Sequence, residues 1–370
     1  MTGWLEQGGL LEEWGWDSGW SQTWSQGQYP GEPARVVAVD RGSLQLQSAR
    51  RSGRGVLGRG AGAPAAEALP TVGDWCAVTL PESADLWRIH ARLPRRTSLI
   101  RRAAGRATLA QELAANVDTV FLLCALDRDQ GLRSLERLLA LVFDGGATPV
   151  IVLNKVDQCP DLEDALLSAG RAAPGIPVVP VSALTGQGLA NLDRFLSRGA
   201  TVALLGPSGS GKSTLVNALT ARADSVAQRP PVAATGPVRE GDRRGRHTTT
   251  RRQLHPLPGA GLVLDTPGLR ELGCWVEPDD LRRAFADIDS LAGACRFSNC
   301  RHDQEPGCAV RQALLDGELE PGRFHRFLEL ADEALLLQAR RDQRGRLEAK
   351  RQGKVLSKEI RRYNRGRDKP

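Results

Sequence analysis

The chain has 370 residues, of which 41% are hydrophobic, and a formal net charge of +7. This length allows one large core and one or two smaller domains. No stretch approaches 18 consecutive apolar residues, and the N-terminus lacks a basic start followed by an apolar segment, which argues against a membrane-spanning or secreted protein. Seven cysteines, three of them within residues 295–308, favour a reducing compartment and a metal over disulfides. We therefore expect a cytoplasmic protein.

The two ends of the chain differ in composition from its middle. Residues 1–33 carry five of the eight tryptophans among Gly, Ser, Gln and Glu, and we expect a flexible extension there. Residues 338–370 hold 13 Lys and Arg against four Asp and Glu, a net charge of +9, so the preceding 337 residues sum to −2. A segment this basic releases counterions when it binds polyphosphate, so the tail predicts a nucleic-acid partner. A solvated charged helix is the alternative.

Residues 34–100 show the short alternating pattern of β-strands. The stretch "ARVVAVDRGSLQLQS" is interrupted at residues 40–42, which predicts a hairpin. Two further short strands, "VGDWCAVTL" and "LWRIHARL", follow a Gly- and Arg-rich loop. Four or five short strands over this length suit an oligonucleotide-binding (OB)-like barrel, although composition alone excludes no other small β-domain. The arginine-rich exit, residues 92–106, is either a contact for a phosphate backbone or an ordinary linker.

Residues 117–288 alternate between strand and helix patterns. Apolar runs such as "VDTVFLLCAL", "TPVIVLNKVD", "ATVALLG" and "GLVLDTPG" are separated by helix-like segments. This alternation predicts an α/β domain with a parallel sheet covered on both faces. Ligands bind such sheets at the carboxyl ends of the strands.

The segment "GPSGSGKST", residues 206–214, fits the phosphate-binding motif G-x-x-x-x-G-K-[ST]. A strand precedes it and a helix follows it, which is the context that the motif requires. Its glycines let the backbone amides face one anion at the start of a helix. Lys212 would contact the β- and γ-phosphates, and Ser213 would bind Mg²⁺. The predicted contacts are Gly206, Ser208, Gly209, Ser210, Gly211, Lys212, Ser213 and Thr214.

The base is indicated by the "NKVD" motif that follows the strand "TPVIVL". The Asp157 carboxylate matches the two donors of guanine, N1–H and the exocyclic amine, whereas adenine offers no donor at N1. A site built on such hydrogen bonds rejects the wrong base by about 10⁴- to 10⁵-fold. Asn154 would bond the base edge and brace the neighbouring loop, and the Lys155 stem would pack over the ring. Backbone N–H groups of the turn at Ser182 and Ala183 would meet the guanine oxygen.

The segment "LVLDTPG" completes the elements of a GTPase. It places Asp265 to hold Mg²⁺ through water and Gly268 to sense the γ-phosphate. We find no LSGGQ-like segment and no apolar strand ending in Asp-Glu, as a transporter-type ATPase would require. The order is unusual, because base-reading segments at 154 and 182 precede the phosphate loop. Such a circular permutation is tolerated because the termini of domains commonly lie close together at the surface.

A metal cluster is predicted by "CRFSNCRHDQEPGC", which has C-x₄-C-x-H-x₅-C spacing. Three thiolates and one imidazole within 14 residues form a set suited to tetrahedral Zn²⁺, and four ligands leave no open position. The zinc is therefore expected to be structural and to contribute on the order of 10 kcal/mol to the order of this region. The predicted ligands are Cys295, Cys300, His302 and Cys308.

The permuted order, "GRHTTT", "DTPGLRELG" and "CRFSNCRHDQEPGCAV" together resemble the RsgA family of circularly permuted GTPases over residues 34–365. The resemblance implies an OB-fold, a permuted GTPase domain and a zinc-binding domain. It also implies GTP hydrolysis that is stimulated by the small (30S) ribosomal subunit, late maturation of that subunit, and contact with its 16S rRNA. The guanine-binding residues that it implies are Asn154, Lys155, Val156 and Asp157.

The expected organisation follows from these segments. We expect a monomer without a membrane partner. Its domains are a flexible extension over 1–33, an OB-like barrel over 34–100, a permuted GTPase domain over 101–288, a mainly helical zinc-binding domain over 289–337 and a basic tail over 338–370.

Hydrolysis requires an oriented water and a neutralised γ-phosphate. Leu269 follows "DTPG" where many GTPases have glutamine, which predicts slow unaided turnover. His247 of "GRHTTT" is our candidate for orienting the water, and Thr249 for contacting Mg²⁺ and the γ-phosphate, with Thr248 and Thr250 as competitors. Two other function classes stay open: a GTP-dependent RNA-binding protein without a turnover requirement, and a P-loop ATPase.

Overall fold

The computed structural model describes residues 8–40, 43–57, 69–80, 86–102, 110–126, 135–207, 209–223, 252–257, 259–265, 278–332 and 334–335. The chain divides into two compact units, one of residues 1–274 and 283–287 and the other of residues 275–282 and 288–370. None of the helices in the described ranges has the length and hydrophobicity needed to span a bilayer.

The N-terminal segment differs from the expected flexible extension. Its described part forms two helices, α1 (Gly8–Glu13) and α2 (Ser18–Gly27). Asp17 caps α2 by accepting a hydrogen bond of 2.9 Å from the backbone N–H of Trp20. Trp16 and Trp20 are buried and pack on Trp75 of the barrel, with ring centroids 4.8 Å and 6.3 Å away. The indoles order this segment because together they remove a large apolar area from water.

Five short strands close into a small barrel in the first unit. β1 (Glu32–Asp40) pairs antiparallel with β2 (Ser43–Ser48) and with β4 (Trp75–Thr79). β3 (Ser52–Leu57) pairs antiparallel with β2 and parallel with β5 (Leu86–Arg92), and β5 returns antiparallel to β4. The closed order β1-β2-β3-β5-β4-β1 confirms the predicted OB-like barrel.

Strand β1 is buried on both faces. Ala34 and Val36 point into the barrel core, whose other buried members are Leu46, Cys76, Val78, Trp87 and Ile89. Arg35 lies between them, on the opposite face, and is only 2% exposed. Since successive residues of a strand point to opposite faces, this continuous burial means that a second layer covers the outside of β1.

A two-stranded hairpin follows the barrel and consists of β6 (Ser98–Arg102) and β7 (Ala110–Ala115). Arg95, just before it, donates to the Asp74 carboxylate at 2.7 Å and also pairs with Glu112 of β7. These two carboxylates raise the pKa of the Arg95 guanidinium against the opposing effect of burial. This arginine of the exit segment therefore serves internal structure.

Six further strands continue the sheet in the order β10-β9-β8-β11-β13-β12. The first five run parallel, and β12 is antiparallel to β13. β12 also pairs antiparallel with β1, so that barrel and α/β domain share one sheet. The strands are β8 (Thr119–Ala125), β9 (Thr148–Asn154), β10 (Val178–Val181), β11 (Thr201–Leu205), β12 (Arg252–Pro256) and β13 (Leu262–Asp265).

Three helices accompany the parallel strands: α3 (Leu135–Asp144), α4 (Leu162–Ala172) and α5 (Lys212–Ala223). The buried residues of α5 pack with alternate residues of β8, β9 and β11 in one hydrophobic cluster. Only alternate residues of each strand belong to this cluster, because the residues between them point to the other face of the sheet, which is also covered by helices. This part of the chain confirms the predicted α/β fold. The cluster includes Phe121, Leu123, Val150, Val152, Val202, Leu204, Leu215, Val216 and Leu219.

The second unit is mainly helical. Its helices are α7 (Ala286–Gly293) from residue 288 onward, α8 (Ala309–Leu315) and α9 over residues 321–332, together with most of α6 (Pro278–Ala284). A loop without regular structure joins α7 to α8 and carries the predicted metal ligands.

Candidate functional site

The predicted base and phosphate segments meet at one edge of the parallel sheet. The "NKVD" motif begins at the end of β9, the Ser182–Ala183 turn follows β10, and the phosphate loop follows β11. Because these strands run parallel, their carboxyl ends lie at the same edge. The fold therefore brings together segments that are far apart in the chain.

The side chain of Asn154 joins all three segments. Its Oδ1 accepts a hydrogen bond of 3.0 Å from the N–H of Ala183, and its Nδ2 donates to the carbonyl of Ser210 at 2.8 Å. Asn154 is 2% exposed, so both bonds are shielded from water. A buried amide with a donor and an acceptor satisfied in this way fixes the distance between the base loop and the phosphate loop.

Two glycines permit the close approach of the phosphate loop. Gly211 has φ +92°, and a Cβ there would lie 2.2 Å from Asn154 Nδ2. Gly206 has φ +154°, and a Cβ there would lie 2.5 Å from the carbonyl oxygen of Leu123 in β8. No other residue fits either position without moving the backbone or the asparagine.

Lys212 begins α5 and lies across the phosphate loop. Its Nζ donates to the carbonyls of Gly206 and Pro207, each at 2.8 Å. Ser210 Oγ is buried nearby without a hydrogen-bond partner in the described part of the chain. A curled loop with an ammonium, an unsatisfied hydroxyl and a helix N-terminus has the composition of a phosphate site.

Asp157 is exposed at the same edge, beside Ser182. The Ser182 hydroxyl donates to its carboxylate and lowers the pKa of Asp157 below its ordinary value of 3.8. The carboxylate is therefore ionised at neutral pH and directed by a buried neighbour. Lys155 turns the chain here in the left-handed region, with φ 69°. An oriented anion of this kind accepts hydrogen bonds from two adjacent N–H donors.

The remaining residues predicted for the nucleotide site lie partly inside and partly outside the described ranges. Val156, Gly209, Ser213 and Thr214 lie in the segments just described. The backbone of Asp265 ends β13, beside β11, but its side chain lies outside the described residues. Also outside them are Ser208, His247, Thr248, Thr249, Thr250, Gly268 and Leu269.

The four predicted metal ligands converge in the second unit. The ligand atoms of Cys295, Cys300, His302 and Cys308 all lie within 4.8 Å of one another. Cys295 Sγ and Cys308 Sγ are 3.9 Å apart, and His302 Nδ1 lies 3.7 Å and 3.4 Å from them. Tetrahedral Zn²⁺, with bonds of about 2.3 Å to sulfur and about 2.0 Å to nitrogen, requires S–S edges of about 3.8 Å and S–N edges of about 3.5 Å. The cluster could hold such an ion.

The backbone of the loop brings the ligands together and stabilises one of the thiolates. His302 and Gly307 both adopt positive φ, 60° and 76°, which folds the loop back on itself. Burial raises the pKa of the Cys295 thiol, but hydrogen bonds from the backbone of Val310 and Ala309 outweigh it, and the net pKa falls below its ordinary value of 9.0. Backbone amides that stabilise a thiolate favour metal ligation.

Sequence reasoning passed over one buried polar group, Arg35. It lies in an otherwise apolar strand pattern, "ARVVAV", and a charge inside such a pattern was the available signal. Its contacts lie at the opposite end of the sheet strands from the phosphate loop, near the start of β11.

Comparison with known proteins agrees with this geometry. The RsgA GTPase family model matches residues 92–275. The small ribosomal subunit biogenesis GTPase RsgA of Opitutus terrae is 50% identical over 275 residues, which cover 72% of this chain and 73% of that protein. The protein of the same name from Syntrophotalea carbinolica is 40% identical over 342 residues, which cover 90% of this chain and 92% of that protein.

Two solved structures share the fold. The crystal structure of YjeQ from Thermotoga maritima matches with a TM-score of 0.61 and 25% identity, covering 82% of this chain and 98% of that one. YloQ, described as a circularly permuted GTPase, matches with a TM-score of 0.58 and 24% identity, covering 82% of this chain and 94% of that one. The permuted order of the base and phosphate segments therefore corresponds to a known architecture.

Proposed function

The chain belongs to the RsgA family of circularly permuted GTPases, and from this premise we propose that it hydrolyses GTP on the small ribosomal subunit during late maturation. It is a GTPase that acts in small-subunit biogenesis. The proposal adds that the subunit stimulates hydrolysis, that hydrolysis is linked to release, and that 16S rRNA forms part of the bound surface.

The observation that carries the proposal is the pair of hydrogen bonds made by Asn154. Base selection and phosphate binding are separate tasks, and they act on one nucleotide only when their loops are held at a fixed distance. The bonds to Ala183 and Ser210 supply that link. Through them, occupation of the base site and the geometry of the phosphate loop depend on each other.

We assign roles to the residues at this edge. Asp157 accepts hydrogen bonds from guanine N1–H and the exocyclic amine, and the Ser182 hydroxyl keeps it ionised. Lys212 exchanges its two carbonyl partners for the β- and γ-phosphates, whose charge binds an ammonium more strongly. Ser213 would hold Mg²⁺, which would neutralise phosphate charge during transfer.

The catalytic step is assigned by motif alone. His247 would orient the attacking water, Thr249 would contact Mg²⁺ and the γ-phosphate, Asp265 would hold Mg²⁺ through water, and Gly268 would sense the γ-phosphate. Since no glutamine follows "DTPG", we propose that bound subunits order this histidine and that unaided turnover is slow.

We propose one structural Zn²⁺ in the second unit. The separations among Cys295, Cys308 and His302 support this ion, because they match the edges of a tetrahedron of its size, and Cys300 lies within 4.8 Å of all three. The ion would hold the loop between α7 and α8, and its four protein ligands would leave no position for substrate.

We further propose an RNA contact through the basic segment 338–370, a monomeric state and a cytoplasmic location. The net charge of +9 on this tail supports the first of these, since phosphate neutralisation dominates RNA affinity. The second and third fit a factor that acts on ribosomal subunits one at a time, where those subunits are assembled.

Phosphate release from GTP, with and without purified small subunits, tests the proposal. We expect a rise of at least tenfold at saturating subunits and none with Lys212→Ala, which should not bind nucleotide. Equal turnover with and without subunits would overturn it. A competition titration with ATP separates the P-loop ATPase alternative, because an ATPase would retain ATP and GTP equally.

A further inference from the structure

Arg35 is a buried charge where four segments of the first unit meet. Its guanidinium donates to the main-chain carbonyl of Trp14 in the N-terminal segment, to Gly73 of the barrel at 3.3 Å and to Asn116 at 3.1 Å. It also donates to the hydroxyl of Thr201, in β11 of the GTPase sheet, at 2.9 Å. Within the described residues, no carboxylate forms an ion pair with it. Its acceptors are neutral oxygens.

The Arg35 contacts constrain the positions of the four segments, because the guanidinium is buried and charged. Burial lowers the pKa of the guanidinium to about 10, with nearby Asp118 and Asp74 opposing the shift, so the group is charged at neutral pH. A buried charge without a bonded counter-ion depends on every acceptor that it has. A movement of β1 relative to any of the four segments therefore breaks a hydrogen bond of this buried charge.

Thr201 links this contact to the phosphate loop. It is the first residue of β11, the strand that leads directly to Gly206. Its backbone N–H donates to the Asp118 carboxylate at 2.7 Å, while its hydroxyl accepts from Arg35. The start of the strand is thus held by the segment before β8 and by the barrel.

The same barrel strand contacts a second part of the GTPase sheet. Ala38 and Val39 pair with Gln253 and Arg252 at the start of β12. β12 comes directly after the "GRHTTT" segment in the chain and lies between β1 and β13. Strand β1 therefore contacts the strand that enters the phosphate loop and the strand that leaves the segment assigned to γ-phosphate sensing.

We propose that Arg35 is a positioning residue for GTP hydrolysis: through Thr201 it fixes the phosphate-loop strand relative to the barrel, and the turnover stimulated by the subunit depends on this link. The inference rests on the proposed function, since it requires stimulation by the subunit. Arg35 acts through β11 and touches neither nucleotide nor metal.

Thr201→Val tests this link more safely than a change at Arg35, which would remove a donor from three carbonyls at once, those of Trp14, Gly73 and Asn116. Valine keeps the shape of threonine and removes only the acceptor of Arg35. Thr201→Ser, which restores the hydroxyl, is the matched control.

The measurements are GTP turnover without and with saturating small subunits, co-sedimentation with subunits, and thermal unfolding. For Thr201→Val we expect unaided turnover and subunit binding within twofold of wild type, a loss of stimulated turnover of about tenfold, within the usual range of coupling between sites, and recovery with Thr201→Ser.

Full stimulation of Thr201→Val would overturn the inference while the proposed function stands. A parallel fall of unaided turnover, subunit binding and melting temperature would also overturn it, because that pattern belongs to a merely structural bond. If wild type itself is not stimulated, the proposed function fails and the inference fails with it.

Discussion

The nucleotide site and the metal cluster differ in how far apart their residues lie in the chain. Asn154 bonds to residues 29 and 56 positions away, whereas all four metal ligands lie within residues 295–308. The first site exists only after a sheet of parallel strands has formed. The second needs only a short loop with two residues at positive φ. The first site therefore depends on the core of the GTPase sheet, and we expect the second to depend on its proposed ion.

Metal removal should produce the largest effect and should separate the two sites. Cys300→Ser removes one of four ligands, and we expect loss of zinc and of ordered structure in the second unit, worth on the order of 10 kcal/mol. GDP binding should persist, because the residues of the nucleotide site belong to the first unit. Metal analysis, hydrogen exchange and GDP titration measure these outcomes.

Cys159→Ser is the matched control, since Cys159 is half-buried and belongs to no metal cluster among the described residues. It should retain zinc. Loss of GDP binding in Cys300→Ser alone would mean that the nucleotide site also depends on the metal, and the contrast between the two sites would be wrong.

Asp157→Asn should produce the next largest effect, a change in which base the nucleotide site prefers. An amide replaces one acceptor by a donor, which opposes the exocyclic amine of guanine and suits the carbonyl that xanthine has in its place, while the amide oxygen still accepts from N1–H. We expect the ratio of GTP to XTP affinity to fall by about 10⁴. Equilibrium titration of both nucleotides measures it. Asp164→Asn, an exposed carboxylate in the first turn of α4, should change neither affinity, and an unchanged ratio in Asp157→Asn would remove guanine recognition from this residue.

Asn154→Ala tests the bond between the two loops. It leaves the Ala183 N–H and the Ser210 carbonyl buried without their partner, at a cost of about 2–4 kcal/mol. Part of this cost falls on stability and part on GDP affinity, which we expect to fall by about 10- to 100-fold. Asn191→Ala, at an exposed position, is the control for GDP titration and denaturant unfolding. Unchanged affinity would mean that the loops hold their distance without this amide.

The sequence predicted the nucleotide edge and the metal cluster because each depends on residue types in fixed contexts. Glycines at 206 and 211, an amide at 154 and a carboxylate at 157 have specific steric or hydrogen-bonding tasks, and the fold brings their segments together. Cysteine spacing alone predicted the cluster, since its ligands meet without any distant contact. The ladder between β1 and β12 left no such signal, because main-chain pairing of two strand edges requires no particular side chain.

The N-terminal segment was misread for a physical reason. Its tryptophans at 16, 20 and 24 repeat every four residues, which is the spacing of one helix face. The surrounding Gly and Ser have weak helix propensity and obscured that period. The segment becomes ordered because Trp75 and Leu93 provide an apolar surface for it, and no local pattern reveals such a distant surface.

His255 offers the smallest test, and it concerns the site that depends on the sheet. It measures how strongly acid destabilises the sheet that the barrel and the GTPase domain share. It lies in β12 opposite Val263, and burial lowers its pKa from 6.5 to about 4. In the folded state it stays neutral where the unfolded chain binds a proton, so stability is complete above pH 6.5 and decreases as pH falls towards 4. At pH 5.5 we expect a loss of about 1 kcal/mol in the free energy of unfolding of the first unit.

Denaturant unfolding at pH 7.5 and 5.5, followed by tryptophan fluorescence, measures this free energy. Between the two pH values, His255→Gln should lose about 1 kcal/mol less than wild type. Equal losses would mean that the acid sensitivity arises elsewhere, because only the variant lacks this titrating group.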